Sequence, residues 1–149
     1  MYHHILIPTD GSELSDKAIS HGVALSKAIG ANVIFVTVTA PLVSLGDKAQ
    51  MFEGIPEPMR KQALDYLYSR AREALGSASN AATIAGVPSK AVEVEHRHPY
   101  EAIIATARQE GCDLIVMASH GRRGAGALLL GSETTKVLTH SKIPVLVCR

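Results

Sequence analysis

Three residues in the last quarter of the chain have the types and spacing that hold an anion: Gly121, then nine residues, then Gly131 and Ser132, directly ahead of the helical run Glu133 to His140. Glycine lets main-chain N–H groups approach a negative group closely, and the first turn of a helix offers unpaired N–H donors with a partial positive charge. Ser132 can cap that helix or give its hydroxyl to a phosphate. Arg122 and Arg123 can add charge or stay solvated. This register favours phosphate binding over a plain connection. Gly126 to Gly131 followed by Ser132 mimics the start of a Walker motif, but the lysine is missing and the residues between are Ala-Leu-Leu-Leu, so it is a decoy.

Other chemical residues carry weaker patterns. His120 beside the first glycine reads as a polar loop contact rather than a proton acceptor, because no acidic residue nearby in sequence orients it. His96 and His98 are two apart, as metal ligands can be, but no third ligand accompanies them. Ser119 and Ser132 lie outside any Gly-x-Ser-x-Gly elbow, which argues against a triad hydrolase. Cys112 and Cys148 stand beside apolar runs with no Cys-x-x-Cys pairing and read as buried, inert thiols.

Positioning these residues requires strands on either side. Ile5-Leu6-Ile7-Pro8 is a continuous apolar run, as in a strand buried on both faces of a parallel sheet, and Thr9-Asp10-Gly11-Ser12 turns it into a helix from Ser12 to Ile29. Asp10 and Glu13 have capping-box spacing, Leu14, Ala18, Val23, Leu25 and Ile29 are expected inward, and Gly30 is the stop. Val33 to Val38 is the second strand. Pro41 to Ile55 has no periodicity, a long loop of the kind that covers something. Pro56 and Pro58 then lead a helix whose inner stripe is Leu64, Leu67, Ala71, Leu75, Ala78 and Ala82, up to Gly86.

Val87 to Glu95 alternates apolar and charged residues, as an edge strand does, and Pro99 starts a third helix, carrying Ile103, Ile104 and Ala107 inward, that Gly111 ends. Leu114 to Ala118 is the fourth strand, the glycine loop follows, and a helix from Ser132 leads to a last strand, Ile143 to Cys148. The alternation gives one doubly wound α/β domain over residues 1–149, Rossmann-like, with five parallel strands and four helices.

The spacing Ala118-Ser119-His120-Gly121, nine residues, Gly131-Ser132 resembles the universal stress protein family, whose ATP-binding branch carries Gly-x-x-Gly, nine residues, then Gly-Ser or Gly-Thr. The resemblance covers almost the whole chain, including Ile5 to Ser12, Leu128 to Ser132 and Pro144 to Val147, with Ala118 in place of the motif's first glycine. It implies a strand order of 3-2-1-4-5, with the crevice where the order reverses, between the ends of strands one and four. It also implies an adenine-nucleotide pocket for ATP or AMP, with Mg2+ accompanying ATP. The implied pocket comprises Pro8, Thr9, Asp10, Val38, Met117, Ala118, Ser119, His120, Gly121, Arg122, Gly131, Ser132, Glu133 and Thr134. Asp10 there meets a ribose, an adenine amino group or a metal; the alternative is a helix cap. The resemblance further implies a stress-response regulator that forms a homodimer through the strand Ile143 to Cys148. Two rival readings are a slow metal-dependent ATPase and a nucleotide-free dimeric adaptor, the second favoured only by Ala118.

Bulk properties limit the alternatives. Fifteen basic and fourteen acidic residues leave a formal charge of +1, too little for a general nucleic-acid or membrane field. Aromatic residues are 4% of the chain and Trp is absent, so stacking platforms for single strands are not expected. The strand pattern begins within a few residues of Met1 and no apolar run reaches spanning length, which reads as a cytoplasmic chain without a membrane role.

Overall fold

The structure, a computed structural model, describes residues 1–41, 54–121 and 130–149. Its elements alternate in the order β1 (His4–Pro8), α1 (Glu13–Ile29), β2 (Asn32–Thr39), α2 (Glu57–Ala85), β3 (Ser89–Glu95), α3 (Pro99–Gln109), β4 (Leu114–Ala118), α4 (Ser132–His140) and β5 (Val145–Cys148). All strand pairs are parallel and the sheet order is β3-β2-β1-β4-β5.

The apolar runs explain the centre of the sheet. Ile5, Leu6 and Ile7 of β1 and all five residues of β4 are buried, because helices cover both faces of these strands. Alternate residues feed two cores. On one face Ile5, Ile7, Val33, Phe35 and Val116 pack with Ala18, Ile19 and Val23 of α1 and Leu75, Ala78 and Ala82 of α2. On the other, Leu6, Ile34, Val36, Ile115 and Met117 pack with Ile103, Ile104 and Ala107 of α3 and Val137 of α4.

Helix ends follow local chemistry, with one correction. Ser12, not Asp10, caps α1: its hydroxyl accepts the Ser15 N–H at 3.2 Å. Asp10 lies too early for that role, and its Oδ1 instead accepts from Ser12 N at 3.0 Å across the preceding turn. Gly30 ends α1 at φ 73°, as expected. Ile29, expected inward, is exposed at the last turn, while Ile19 and Ser26 hold the inner face. Leu67 is likewise exposed. Burial on α2 begins only at Ala71, and residues 57–70 include no buried side chain. β3 starts at Ser89 and not Val87, whose side chain is buried in the first core as the chain enters the strand.

The two sheet edges differ in character. On β3, Lys90 pairs with Glu110 at 2.8 Å, Glu93 with Arg72 at 3.6 Å, and Glu95 accepts from the Tyr68 hydroxyl at 2.8 Å. β5 carries Val145, Leu146, Val147 and Cys148, with no charge and with Leu146 exposed. Among the described residues, no helix is long and apolar enough to cross a membrane. Most of the Pro41 to Ile55 loop lies outside the described residues, as do Arg122, Arg123 and Gly126.

Candidate functional site

Strands β1 and β4 are neighbours, and from them the chain departs in opposite directions, β1 toward β2 and β4 toward β5. Their carboxyl ends, Pro8 and Ala118, therefore open onto a crevice of the kind in which α/β sheets hold ligands.

On the β1 side, the turn is held by hydrogen bonds. Thr9 is buried; its N–H donates to Val36 O at 2.9 Å, and its hydroxyl lies 3.2 Å from Ser15 Oγ and accepts from Gly11 N at 3.2 Å. With Oδ1 engaged by Ser12 N, the Asp10 carboxylate turns its other oxygen toward the β4 turn: a Cβ placed on Gly121 would lie 2.7 Å from Asp10 Oδ2. Residues more than a hundred positions apart thus meet, and a side chain at Gly121 would have to displace the Asp10 carboxylate.

The β4 side is fastened to helix α4. Ser119 N donates to Cys148 O at 2.7 Å, Gly131 N donates to Ser119 O at 2.7 Å, and the buried Thr134 hydroxyl donates to Ala118 O at 2.9 Å. A Cβ on Gly131 would stand 3.2 Å from both His120 Cα and Ser119 O, so glycine is what permits this approach. Gly131 is the N-cap of α4, and among the described residues no side chain caps the helix. Ser132, expected as a possible cap, is instead the exposed first helical residue. The first turn of α4 is therefore held against the β4 turn with its N–H groups uncapped by any side chain among the described residues, the arrangement that accepts an anion.

The remaining candidates fall in different places. Met117 is buried in the second core, and half-buried Val38 packs against that core. Pro8 is half-buried at the end of β1. Ala118 is in β4 with a negative φ, as are all non-glycine residues described, and its methyl is buried in the first core rather than in the crevice. His120 Nδ1 lies 3.0 Å from Ser119 Oγ, and its buried Nε2 has no hydrogen-bond partner among the described residues. Glu133 turns away from the crevice: Oε2 accepts from Tyr100 N at 2.9 Å and Oε1 is 2.8 Å from Lys136 Nζ.

Away from the crevice, His96 Nδ1 accepts from His98 N at 3.0 Å and Nε2 is 3.7 Å from Glu101, so this ring closes a local turn. Among the described residues, no group of three or more His, Cys, Asp or Glu could hold a metal ion. Sequence reasoning missed Ser15, whose hydroxyl braces Thr9; the Ser12-x-x-Ser15 spacing was the available signal. It also missed the contact of Glu133 with Tyr100, for which no local signal exists.

A sequence model described as the universal stress protein family matches residues 1–149. The chain belongs to that family. A universal stress protein of Thermus aquaticus is 31% identical over 149 residues, which is the whole of both chains. The solved structure of the universal stress protein MJ0577 of Methanocaldococcus jannaschii superimposes with a TM-score of 0.80 at 31% identity, covering 99% of this chain and 95% of that one. A universal stress protein from Archaeoglobus fulgidus, solved in complex with dAMP, shares the fold with a TM-score of 0.70 at 16% identity, covering 99% of this chain and 98% of its own.

Proposed function

We propose that the crevice between β1 and β4 binds an adenine nucleotide, ATP or AMP, and that the protein is a nucleotide-sensing regulator in a stress response. The observation that carries this reading is the double fastening of α4 to β4, through Gly131 N to Ser119 O and Thr134 Oγ1 to Ala118 O, which sets a helix start without a side-chain cap among the described residues beside the Gly121–Asp10 contact. The dAMP complex of the Archaeoglobus relative is consistent with it. In this reading the main-chain N–H groups of Ser132, Glu133 and Thr134 receive phosphate oxygens, Gly121 and Gly131 permit the close approach of Asp10 and of the β4 turn that shapes the crevice, and Asp10 meets the sugar or a Mg2+ ion carried with ATP. Main-chain groups of Val38 and Met117 border the base.

The 149 residues act as one universal stress domain in the cytoplasm, paired into a homodimer through the uncharged β5 edge, which is otherwise an aggregation hazard. Regulation ranks above catalysis because, among the described residues, His120 at the crevice is held by a hydroxyl and not by a carboxylate that would make it a base.

Native mass spectrometry of freshly purified protein, before and after adding ATP with magnesium, tests the proposal. One adenine nucleotide per subunit, unchanged over time, is the expected result. Steady conversion to ADP would put the ATPase first, and no nucleotide under either condition would put the nucleotide-free adaptor first.

A further inference from the structure

Glu133 is the second residue of the helix that starts at the crevice, where a carboxylate would repel a bound phosphate. Its charge is engaged elsewhere. One oxygen accepts from the main-chain N–H of Tyr100, in the first turn of α3, whose N-cap His98 supplies no side-chain bond of its own. The other is 2.8 Å from the Lys136 ammonium, one helical turn along α4. Lys136 is itself held in place: its Nζ stands 5.4 Å over the Tyr100 ring, and that ring contacts His140 at the end of α4 with centroids 5.3 Å apart. The hydrogen bond to Glu133 also holds the Lys136 ammonium above its ordinary value. Glu133, Lys136 and Tyr100 thus form a small closed set that joins the starts of two helices.

We propose that Glu133 and Lys136 are a charge-balanced positioning pair for the anion site: Glu133 fixes the start of α4 against α3 and offers a ligand only its main-chain N–H, while Lys136 cancels the carboxylate that a phosphate would otherwise meet. The inference rests on the nucleotide reading of the crevice, and it concerns residues that sequence alone placed as direct ligand contacts or did not single out. It has a sign that a merely structural role lacks. Removing the lysine leaves an uncompensated negative charge beside the phosphates; removing the carboxylate leaves an uncompensated positive one; removing both restores the balance.

Calorimetric titration of the full chain with ATP and with AMP, for wild type, Lys136→Met, Glu133→Gln and the double variant, reads this directly. The glutamine keeps an acceptor for the Tyr100 N–H. Lys136→Met is expected to weaken ATP binding on the order of fivefold at low salt and Glu133→Gln to tighten it, with the double variant returning to the wild-type value and each effect shrinking as salt screens it. AMP, with fewer phosphate charges, should show smaller changes of the same sign. Weaker binding in all three variants, or no change in Lys136→Met, overturns the pairing and leaves the nucleotide reading intact. Failure of the wild-type chain to bind either nucleotide overturns the nucleotide reading and the pairing with it.

Discussion

The hydroxyl of Thr134 donates to the main-chain carbonyl of Ala118 across 2.9 Å, joining the first turn of α4 to the last residue of β4 sixteen positions earlier. Both groups are buried, and the bond aims a helix start at a strand end. Replacing Thr134 by Val keeps the shape and deletes the donor, leaving a buried carbonyl without that partner. The expected loss is about 1–3 kcal/mol in urea unfolding, with Thr134→Ser retaining most of the stability. Equal stability of the Val and Ser variants would show that the bond contributes nothing net.

A Cβ on Gly121 would press on the Asp10 carboxylate, 2.7 Å from its Oδ2. Because the obstructing atom ends a short side chain, Gly121→Ala should fold, losing less than about 1 kcal/mol. Gly121→Val, with a branched side chain, should reduce nucleotide affinity at least on the order of tenfold, measured by calorimetry on folded protein. Wild-type affinity in a folded Val variant would remove Gly121 from the site.

Ala118 replaces the first glycine of the family's motif, yet it adopts no positive φ and buries its methyl in the first core. Ala118→Gly should therefore lose about 1 kcal/mol of stability, through strand flexibility and lost packing, without a gain in nucleotide affinity. Tighter binding in the glycine variant would mean that the methyl does restrict the crevice.

Asp113 precedes β4, and its two oxygens accept from His3 N at 2.8 Å and His4 N at 3.1 Å, tying the N-terminal segment to the sheet. Partial burial pushes its carboxyl up, but the main-chain donors of His3, His4 and Asp113 itself, with the His3 charge, together hold it below the ordinary value. A carboxyl whose folded value is depressed binds fewer protons in the native state. Its contribution is complete above the unfolded value, about pH 4, and is lost as pH falls through the folded one. The stability gap between wild type and Asp113→Asn should be open at neutral pH and narrow in acid. A gap constant with pH would assign it to packing.

Much of this was legible from residue order. Ile5 to Ile7 and Leu114 to Ala118 are continuous apolar runs because both faces of their strands are covered, and Gly30 marks a helix stop because left-handed backbone suits glycine. The strand order came through family resemblance, since strand runs do not state their neighbours. Errors arose where tertiary position overrides pattern. Leu67 has the right period for an inner stripe, but α2 contributes no buried residue before Ala71. Asp10 has a capping spacing, but Ser12, two residues nearer the helix, takes that role. At the crevice, the glycines marked where close approach occurs. The attachments of Thr134 to Ala118 and of Glu133 to Tyr100 depend on helices meeting in space.

The unlike edges of the sheet bear on how copies of this chain can add to one another. Lys90, Glu93 and Glu95 put charges along β3, whereas β5 presents only Val145, Leu146, Val147 and Cys148. Pairing two sheets through β5 would consume the uncharged edge of each and leave charged β3 at both outer margins. Growth of that kind would be self-terminating: the first addition would remove the surface that a second addition of the same kind needs, so the polymer chemistry of an open sheet would end at two.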